Sequence, residues 1–360
     1  MLISSLTPET KVSSLLGGYM WLISVKLQLN NNIASSVRIP STDIKICPKA
    51  KWNQTGITIK SVDRNKLLSL FNFAFDSQSN IYIVNLADSR IEKYLNDTNF
   101  EQYEILIQFQ KMYQPTTLFI DKYDNLYIDY SVHNRLYKIS LKNKYNRIIY
   151  DNPEWCTDMY VDANENIYIT ENNNSRIMKW SSDGKQKYVI AGGNGNGNQS
   201  NQLDSPSGIY VSDQTNHIYI ADVTNHRIQR WTLGNVSLGG VTVAGGNGNG
   251  NGTHQLNFPN SVIVDNEESV YIVDESNHRI VKWAKGAKNG EIIIGGDDKD
   301  DYVFEDEDAD IFSSEGGQKL NKLTYPTQMK FDKDGNLYVL DWTDNRLQKF
   351  EIDTTDCQLS

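Results

Sequence analysis

The sequence predicts an all-β protein built from six tandem copies of one strand repeat. The pattern that recurs is Pro, an apolar strand ending in Asp, a polar turn, an Ile-Tyr-Ile strand, and then Asn-x-Arg-Ile and an aromatic residue, with looser matches in several copies. The clearest copy is PSGIYVSDQTNHIYIADVTNHRIQRW at 206–231. Tyr, Ile, Val and Trp favour strands, whereas the Asn, Asp and Gly between them favour turns.

The arginine of each copy measures the length of the repeat. These arginines are Arg90, Arg135, Arg176, Arg227, Arg279 and Arg346. They are 45, 41, 51, 52 and 67 residues apart, a period typical of propeller blades with four antiparallel strands. The strands are apolar on both faces, as expected when each blade packs between two others. We therefore expect a six-bladed β-propeller over residues 47–357, interrupted by an acidic loop at 297–316.

The repeat resembles the NHL repeat. The run Tyr-Ile-Ala-Asp-x-x-Asn-His-Arg-Ile at 219–228 matches the signature of that family, and a second good copy occupies 259–283. The Gly-Asn loops and the segment CPKAKWN at 47–53 are similar to those of long NHL-repeat proteins from small invertebrates. The resemblance covers about 300 of the 360 residues. It is weakest in the first two copies, where Asn85 replaces the repeat Asp and Asp129 is displaced by one position.

The resemblance implies a non-catalytic interaction module that binds a protein or glycan ligand through one rim. A second class stays open, because some related propellers are lyases or lactonases with a divalent metal in the central channel. The residues that line the axis separate these two classes. We expect apolar and small polar residues there, around Ser207, Asn260 and Thr327, and therefore no metal and no cofactor.

The last copy stops after three strands, and the missing strand lies at the other end of the chain. The segment KWNQTGITIK at 51–60 matches the one after Trp231 in character, so we expect residues 56–60 to complete the sixth blade. Such closure removes the open edges of a linear array. Cys47 and Cys357 flank the two halves of this blade. A disulfide bridge and two unpaired thiols in a reducing compartment are both open.

The strand directions place the Asn-His-Arg turns on the same rim as the loops between blades. We predict that this rim binds the ligand, because loops on rigid scaffolds concentrate recognition residues. The candidate ligand-binding residues are Asn194, Asn196, Asn225, His226, Asn247, Asn249, Asn277 and His278. The alternative is that the histidines stabilise the blades and that the loops are plain connectors.

The Asp and Arg residues of the repeat are expected to be structural, bonding to each other or to the strand turn. These residues are Asp222, Arg227, Asp274, Arg279, Arg176, Asp341 and Arg346. No residue is predicted to be catalytic.

Charge and motifs argue against several chemistries. Residues 297–310 hold nine acids and one lysine, which accounts for eight of the ten net negative charges. The near-neutral remainder lacks the basic surface that nucleic-acid binding requires. The chain has neither a Cys-x-x-Cys pair nor a Gly-x-Ser-x-Gly elbow. The Gly-Asn loops lack the Gly-Lys-Ser/Thr ending of a phosphate loop, and the acidic segment lacks the EF-hand spacing.

Residues 1–46 are predicted to precede the propeller as a leader, and 358–360 to form a tail. The apolar stretch 12–25 is shorter than the about 20 residues of a bilayer span and fits the core of a signal peptide better. A signal, an anchor and a disordered leader all stay open, and membrane association requires the anchor. We slightly favour an extracellular or secretory location, in which the sequons at Asn198 and Asn251 would be usable for glycosylation. We expect a monomer.

Overall fold

Six four-stranded antiparallel sheets follow one another along the chain. The computed structural model describes residues 45–62, 70–98, 100–109, 115–130, 135–143, 146–151, 156–296 and 320–357. The apolar stretch 12–25, the acidic loop 297–316 and the tail 358–360 lie outside these ranges, so the predictions for them stay predictions. Within the described ranges, no helix has the length and apolar character needed to cross a bilayer.

The blades are numbered in chain order, and the strands within each blade are numbered from the axis outward. Blade 1 contains Leu70–Phe75, Ile81–Asn85, Arg90–Tyr94 and Tyr103–Gln108. Blade 2 contains Pro115–Ile120, Asn125–Tyr130, Arg135–Ser140 and Asn146–Asp151. Blade 3 contains Cys156–Val161, Ile167–Glu171, Arg176–Trp180 and Lys187–Gly192. Blade 4 contains Pro206–Ser212, His217–Asp222, Arg227–Thr232 and Val241–Gly245. Blade 5 contains Pro259–Val264, Val270–Asp274, Arg279–Trp283 and Glu291–Gly295. Blade 6 contains Pro326–Phe331, Leu337–Asp341, Arg346–Phe350 and Ile57–Ser61. One-turn 3-10 helices span Asn96–Thr98, Asn172–Asn174, Val236–Leu238, Glu275–Asn277 and Thr355–Cys357.

The first strands stand side by side around a central axis. Each first strand packs against the first strand of the next blade, and the first strand of blade 6 packs against that of blade 1. A tyrosine from each second strand fills the space between blades and is almost fully buried. These tyrosines are Tyr82, Tyr127, Tyr168, Tyr219, Tyr271 and Tyr338. The arrangement confirms the predicted six-bladed β-propeller.

The ring is closed by the two ends of the described chain. Ile57–Ser61 pairs antiparallel with Arg346–Phe350 and forms the outer strand of blade 6. This confirms the predicted closure, with the strand shifted by one residue from 56–60. A second small ladder joins Lys51–Trp52 to Ile352–Asp353. The buried indole of Trp52 donates from Nε1 to the Gly335 carbonyl at 3.0 Å, which ties this ladder to blade 6.

Cys47 and Cys357 form a disulfide, with Cα atoms 6.2 Å apart. The bridge spans 310 residues and encloses nearly all of the propeller. The sequence left a disulfide bridge and two unpaired thiols open, and the structure has the disulfide bridge.

Reduction of the Cys47–Cys357 bridge should lower the free energy of unfolding by roughly 5 kcal/mol, because chain-entropy models assign such a value to a loop of about 310 residues. Urea unfolding with and without reductant measures the change. The variant Cys47→Ser/Cys357→Ser is the control, because reductant should leave its stability unchanged. Equal stability of the oxidised and reduced wild type would show that strand pairing alone holds the ring closed.

Candidate functional site

The loops between blades lie on the same rim as the turns between second and third strands, and we call this rim the loop rim. In blade 4 the buried Arg227 donates from Nε to Asp222 Oδ2 at 2.7 Å. Its terminal nitrogens donate to the carbonyls of Asn198, Gln199 and Gln202, at 2.7, 3.1 and 3.2 Å. Arg227 therefore clamps the incoming loop onto its own blade.

Blade 5 repeats this clamp. Arg279 Nε donates to Asp274 Oδ2 at 2.7 Å, and its terminal nitrogens donate to the carbonyls of Asn251, Gly252 and Gln255. Burial raises the pKa of both Asp222 and Asp274, while the guanidinium and the neighbouring N–H groups lower it. In both blades the Asp and Arg side chains therefore bond to each other, and the Arg side chain also bonds to the incoming loop.

Blades 1, 3 and 6 vary the acid but keep an ion pair with the repeat arginine. In blade 6, Arg346 lies 3.1 Å from both Asp341 and Asp344. In blade 3, Arg176 pairs at 2.6 Å with Glu171 in place of Asp. In blade 1, where Asn85 replaces the Asp, Arg90 bonds to Glu92 on the third strand.

Four of the candidate asparagines hold the loop rim together. Each donates its side-chain amide to a loop carbonyl: Asn194 to Asn201, Asn225 to Gly197, Asn247 to His254 and Asn277 to Gly250. The side-chain oxygen of Asn196 accepts from the Ser175 hydroxyl at 2.7 Å. Asn249 forms an isolated bridge with Leu256. These groups make contacts within the fold, and Asn247 also lines a cavity of about 450 Å³ with His254 and Lys288.

The two candidate histidines connect neighbouring blades. His226 Nδ1 accepts the backbone N–H of Phe258 at 3.2 Å, and the two rings meet edge to face. His278 Nδ1 bonds to the Thr324 carbonyl, and its ring contacts that of Tyr325. Burial lowers the pKa of both imidazoles.

A cavity of about 340 Å³ opens at the opposite end of the axis, which we call the first-turn rim. It is lined by the ends of first strands and by the turns that follow them. These turns begin at Asp121, Asp162 and Asp332. A second chamber of about 160 Å³ continues along the axis and shares residues with the first. We call the two together the channel mouth.

An arc of three aromatic rings forms one side of the channel mouth. Phe119, Tyr160 and Tyr210 are each the fifth residue of a first strand, in blades 2, 3 and 4. The centroids of Phe119 and Tyr160 are 5.2 Å apart, and those of Tyr160 and Tyr210 are 6.1 Å apart. The alternating direction of side chains along a strand brings these equivalent positions together around the axis.

Lys330 occupies the same fifth position in blade 6, where the other blades have uncharged residues. Its ammonium makes no hydrogen bond or ion pair with any described residue, and Nζ lies 5.9 Å from the centroid of the Phe73 ring. Burial lowers the pKa of Lys330, and the charge of Asp158 across the axis partly restores it. The channel mouth therefore contains an ammonium group without a direct anionic partner.

Asp158 comes from blade 3, which stands opposite blade 6 in a ring of six. A β-bulge near the start of each first strand leaves backbone groups off the ladder. Asp158 Oδ2 accepts the N–H of Ile209, the first residue paired after the bulge of blade 4, at 3.0 Å, and Oδ1 accepts the N–H of Met159 at 2.9 Å. Burial raises the pKa of Asp158, whereas Lys330 and the two N–H groups lower it.

The carboxylates of the first turns are occupied by the turns themselves. Asp162 accepts the N–H groups of Asn164 and Asn166, the Asn166 amide and the Tyr168 hydroxyl. Asp121 makes the same four kinds of bond in blade 2. The acids at the edge of the channel mouth thus shape turns, whereas Lys330 has no hydrogen-bond partner among the described residues.

In the described part of the chain, no three His, Cys, Asp or Glu side chains come together in an arrangement that could hold a metal ion. The axis near the loop rim has small polar residues, with Ser207 hydrogen-bonded to Asn260. At the channel mouth, Asp158 faces the Lys330 ammonium, and the carboxylates of Asp121, Asp162 and Asp332 bond to groups of their own turns. These groups do not form the cluster of oxygen ligands that a divalent metal requires.

The family model of the NHL repeat matches residues 203–231. No curated protein sequence matches the chain significantly. Virginiamycin B lyase from Staphylococcus aureus is similar in structure, with a TM-score of 0.53, 13% identity, and coverage of 84% of this chain and 99% of the lyase. A gluconolactonase from Xanthomonas campestris has a TM-score of 0.57 and 11% identity, with 87% and 98% covered. An auxiliary nutrient binding protein from Bacteroides thetaiotaomicron has a TM-score of 0.57 and 13% identity, with 80% and 70% covered.

The fold and the closed ring define the class, a six-bladed β-propeller. The NHL-repeat match lies within blade 4, from the loop before its first strand to Trp231 in its third strand. At 11–13% identity, the similarity to the solved structures shows the fold alone.

Sequence reasoning missed the channel mouth because it searched for residues that recur. The signal was present in the aligned first strands. Reading their fifth positions across the six copies gives Ala, Phe, Tyr, Tyr, Ile and Lys. Lys330, in the strand PTQMKF, is the one charged residue among these six positions. Packing between blades does not require a charge there, so the lysine was a signal of another role.

Replacing Arg227 by Met should lower the free energy of unfolding by about 3–5 kcal/mol, because Asp222 would be left buried without its cation. The matched control is Arg230→Met on the same strand, whose half-exposed contact with Glu268 should contribute less than about 1 kcal/mol. Urea unfolding compares the two variants. Equal losses would contradict the structural role of Arg227.

Proposed function

We propose that this protein is a non-catalytic binding module that receives a protein or glycan ligand at the channel mouth on the first-turn rim. The observation that carries the proposal is the combination of an aromatic arc with an unpaired ammonium in one concave site. Binding sites are concave and mostly apolar, with a few polar groups that fix orientation, and their volumes start at about 300 Å³. The proposal moves the ligand to the rim opposite the one predicted from the sequence.

The loop rim is a less suitable place for the ligand than the channel mouth. Its candidate amides and guanidinium groups already bond to loop carbonyls, so a ligand would have to replace those bonds. At the channel mouth, a ligand can bind without breaking contacts of the fold.

The runner-up is a propeller enzyme with a divalent metal in the channel. The lyase and gluconolactonase with the same fold motivate it, but at 11–13% identity they carry no site residues to this chain. The Lys330 ammonium, together with carboxylates that are already bonded within their turns, favours binding without a metal. The two classes differ in their response to chelation: ligand binding by the module should persist in EDTA, whereas a metal site should lose binding and recover it with added Ca²⁺ or Zn²⁺.

The test is a binding screen with matched tyrosine variants. Tyr160→Ala removes the central ring of the arc, and Tyr188→Ala removes a tyrosine that is 52% exposed on the outer strand of blade 3. We expect a glycan array or a displayed peptide library to yield ligands that wild type and Tyr188→Ala bind alike. Tyr160→Ala should bind them at least about tenfold more weakly, the scale of losing one buried aromatic contact.

Thermal unfolding of both variants verifies that they fold. Ligands that bind Tyr160→Ala as tightly as wild type would place recognition elsewhere and contradict the proposal. The absence of any saturable ligand in both libraries would contradict it as well.

A further inference from the structure

We propose that the part of the ligand seated in the channel mouth is an acidic sugar, with its carboxylate on the Lys330 ammonium and its hydroxyl groups on Asp158. This inference rests on the proposed function and narrows its ligand from a protein or glycan to a glycan that carries a carboxylate.

The first step is the charge of Lys330. An ammonium in a partly enclosed site is stabilised by an anion at hydrogen-bond distance, and the described residues supply none there. Charge-assisted hydrogen bonds between an ammonium and a carboxylate are among the stronger contacts in proteins. A carboxylate of the ligand would therefore complete the site.

The second step is the acceptor on the opposite side. A carboxylate can accept about four hydrogen bonds, and the two oxygens of Asp158 accept one backbone N–H each. One lone pair on each oxygen remains available for donors. Sugar hydroxyl groups are such donors, and they carry no charge that would compete with Lys330. A ligand that spans the axis therefore needs an anionic end and a hydroxyl-bearing end.

The third step is the aromatic arc on the Asp158 side of the axis, opposite Lys330. Phe119, Tyr160 and Tyr210 present ring surfaces from three successive blades. The C–H faces of a pyranose ring are apolar and pack on such surfaces, while its edges carry the hydroxyl groups. A free phosphate has no apolar face and would leave the arc without a contact. The arc thus selects a sugar among possible anions.

The acids near the opening do not oppose this ligand strongly. Asp121 and Asp162 are each satisfied by four hydrogen bonds in their turns, and Lys179 lies 3.7 Å from Asp162. Lys122 and Lys333 also line the opening, so the edge of the channel mouth is close to neutral. The positive charge of Lys330 therefore favours a negatively charged ligand in the channel mouth.

The experiment is calorimetric titration of the full-length protein with glucuronate and with glucose, two ligands that differ in one carboxylate. We expect glucuronate to bind wild type at least about tenfold more tightly than glucose, the scale of one charge-assisted hydrogen bond. In Lys330→Gln the two affinities should become equal. The control Lys349→Gln, a lysine of the same blade that pairs with Glu351 outside the channel, should keep the wild-type preference.

Thermal unfolding shows whether Lys330→Gln folds, and Lys330→Arg, which keeps the charge, should retain part of the preference. Equal binding of glucuronate and glucose to wild type would overturn the acidic-sugar inference and leave the proposed module intact. Tighter binding of a peptide with a free carboxyl end than of glucuronate would also overturn it, in favour of a peptide ligand. Binding of glucuronate that Tyr160→Ala leaves unchanged would contradict the proposed function itself.

Discussion

Hydrogen bonds between Ile57–Ser61 and Arg346–Phe350 hold the two ends of the chain in one sheet, and the axial cavity depends on them. A propeller blade is stable when both of its faces are covered, so the ring has to close for blades 1 and 6 to be covered. Only in the closed ring do the first strands of blades 3 and 6 face each other across the axis. The opposition of Asp158 and Lys330 is thus a consequence of the closure, which the disulfide between Cys47 and Cys357 reinforces.

The Arg clamps show how a diverged repeat keeps its architecture. Blades 4 and 5 use Asp222 and Asp274, whereas blade 3 uses Glu171, whose longer side chain still reaches Arg176 at 2.6 Å. Blade 1 has lost the acid on its second strand and takes a carboxylate from Glu92 on the third. A buried guanidinium needs an acidic partner, but the position of that partner in the sequence can change.

The sequence predicted the fold well because the requirements of a blade repeat six times. The spacing of the arginines, the Ile-Tyr-Ile strands and the strand missing from the last copy were enough to predict six blades and their closure. The disulfide followed from that closure as one of two alternatives. The site could not be predicted in the same way. Residues such as Asn225 and Asn277 recur because every loop needs an amide donor, whereas Lys330 and Asp158 occur once each and gain meaning only in three dimensions.

A crystal structure of the protein soaked with glucuronate tests the central claim most directly, which is that the closed ring forms one binding site at its first-turn rim. The account predicts the sugar at the channel mouth, with its carboxylate within hydrogen-bond distance of Lys330 Nζ and its ring against Tyr160 or Tyr210. Sugar bound instead among the loops at 192–203 and 245–256, with the channel mouth unchanged, would contradict it.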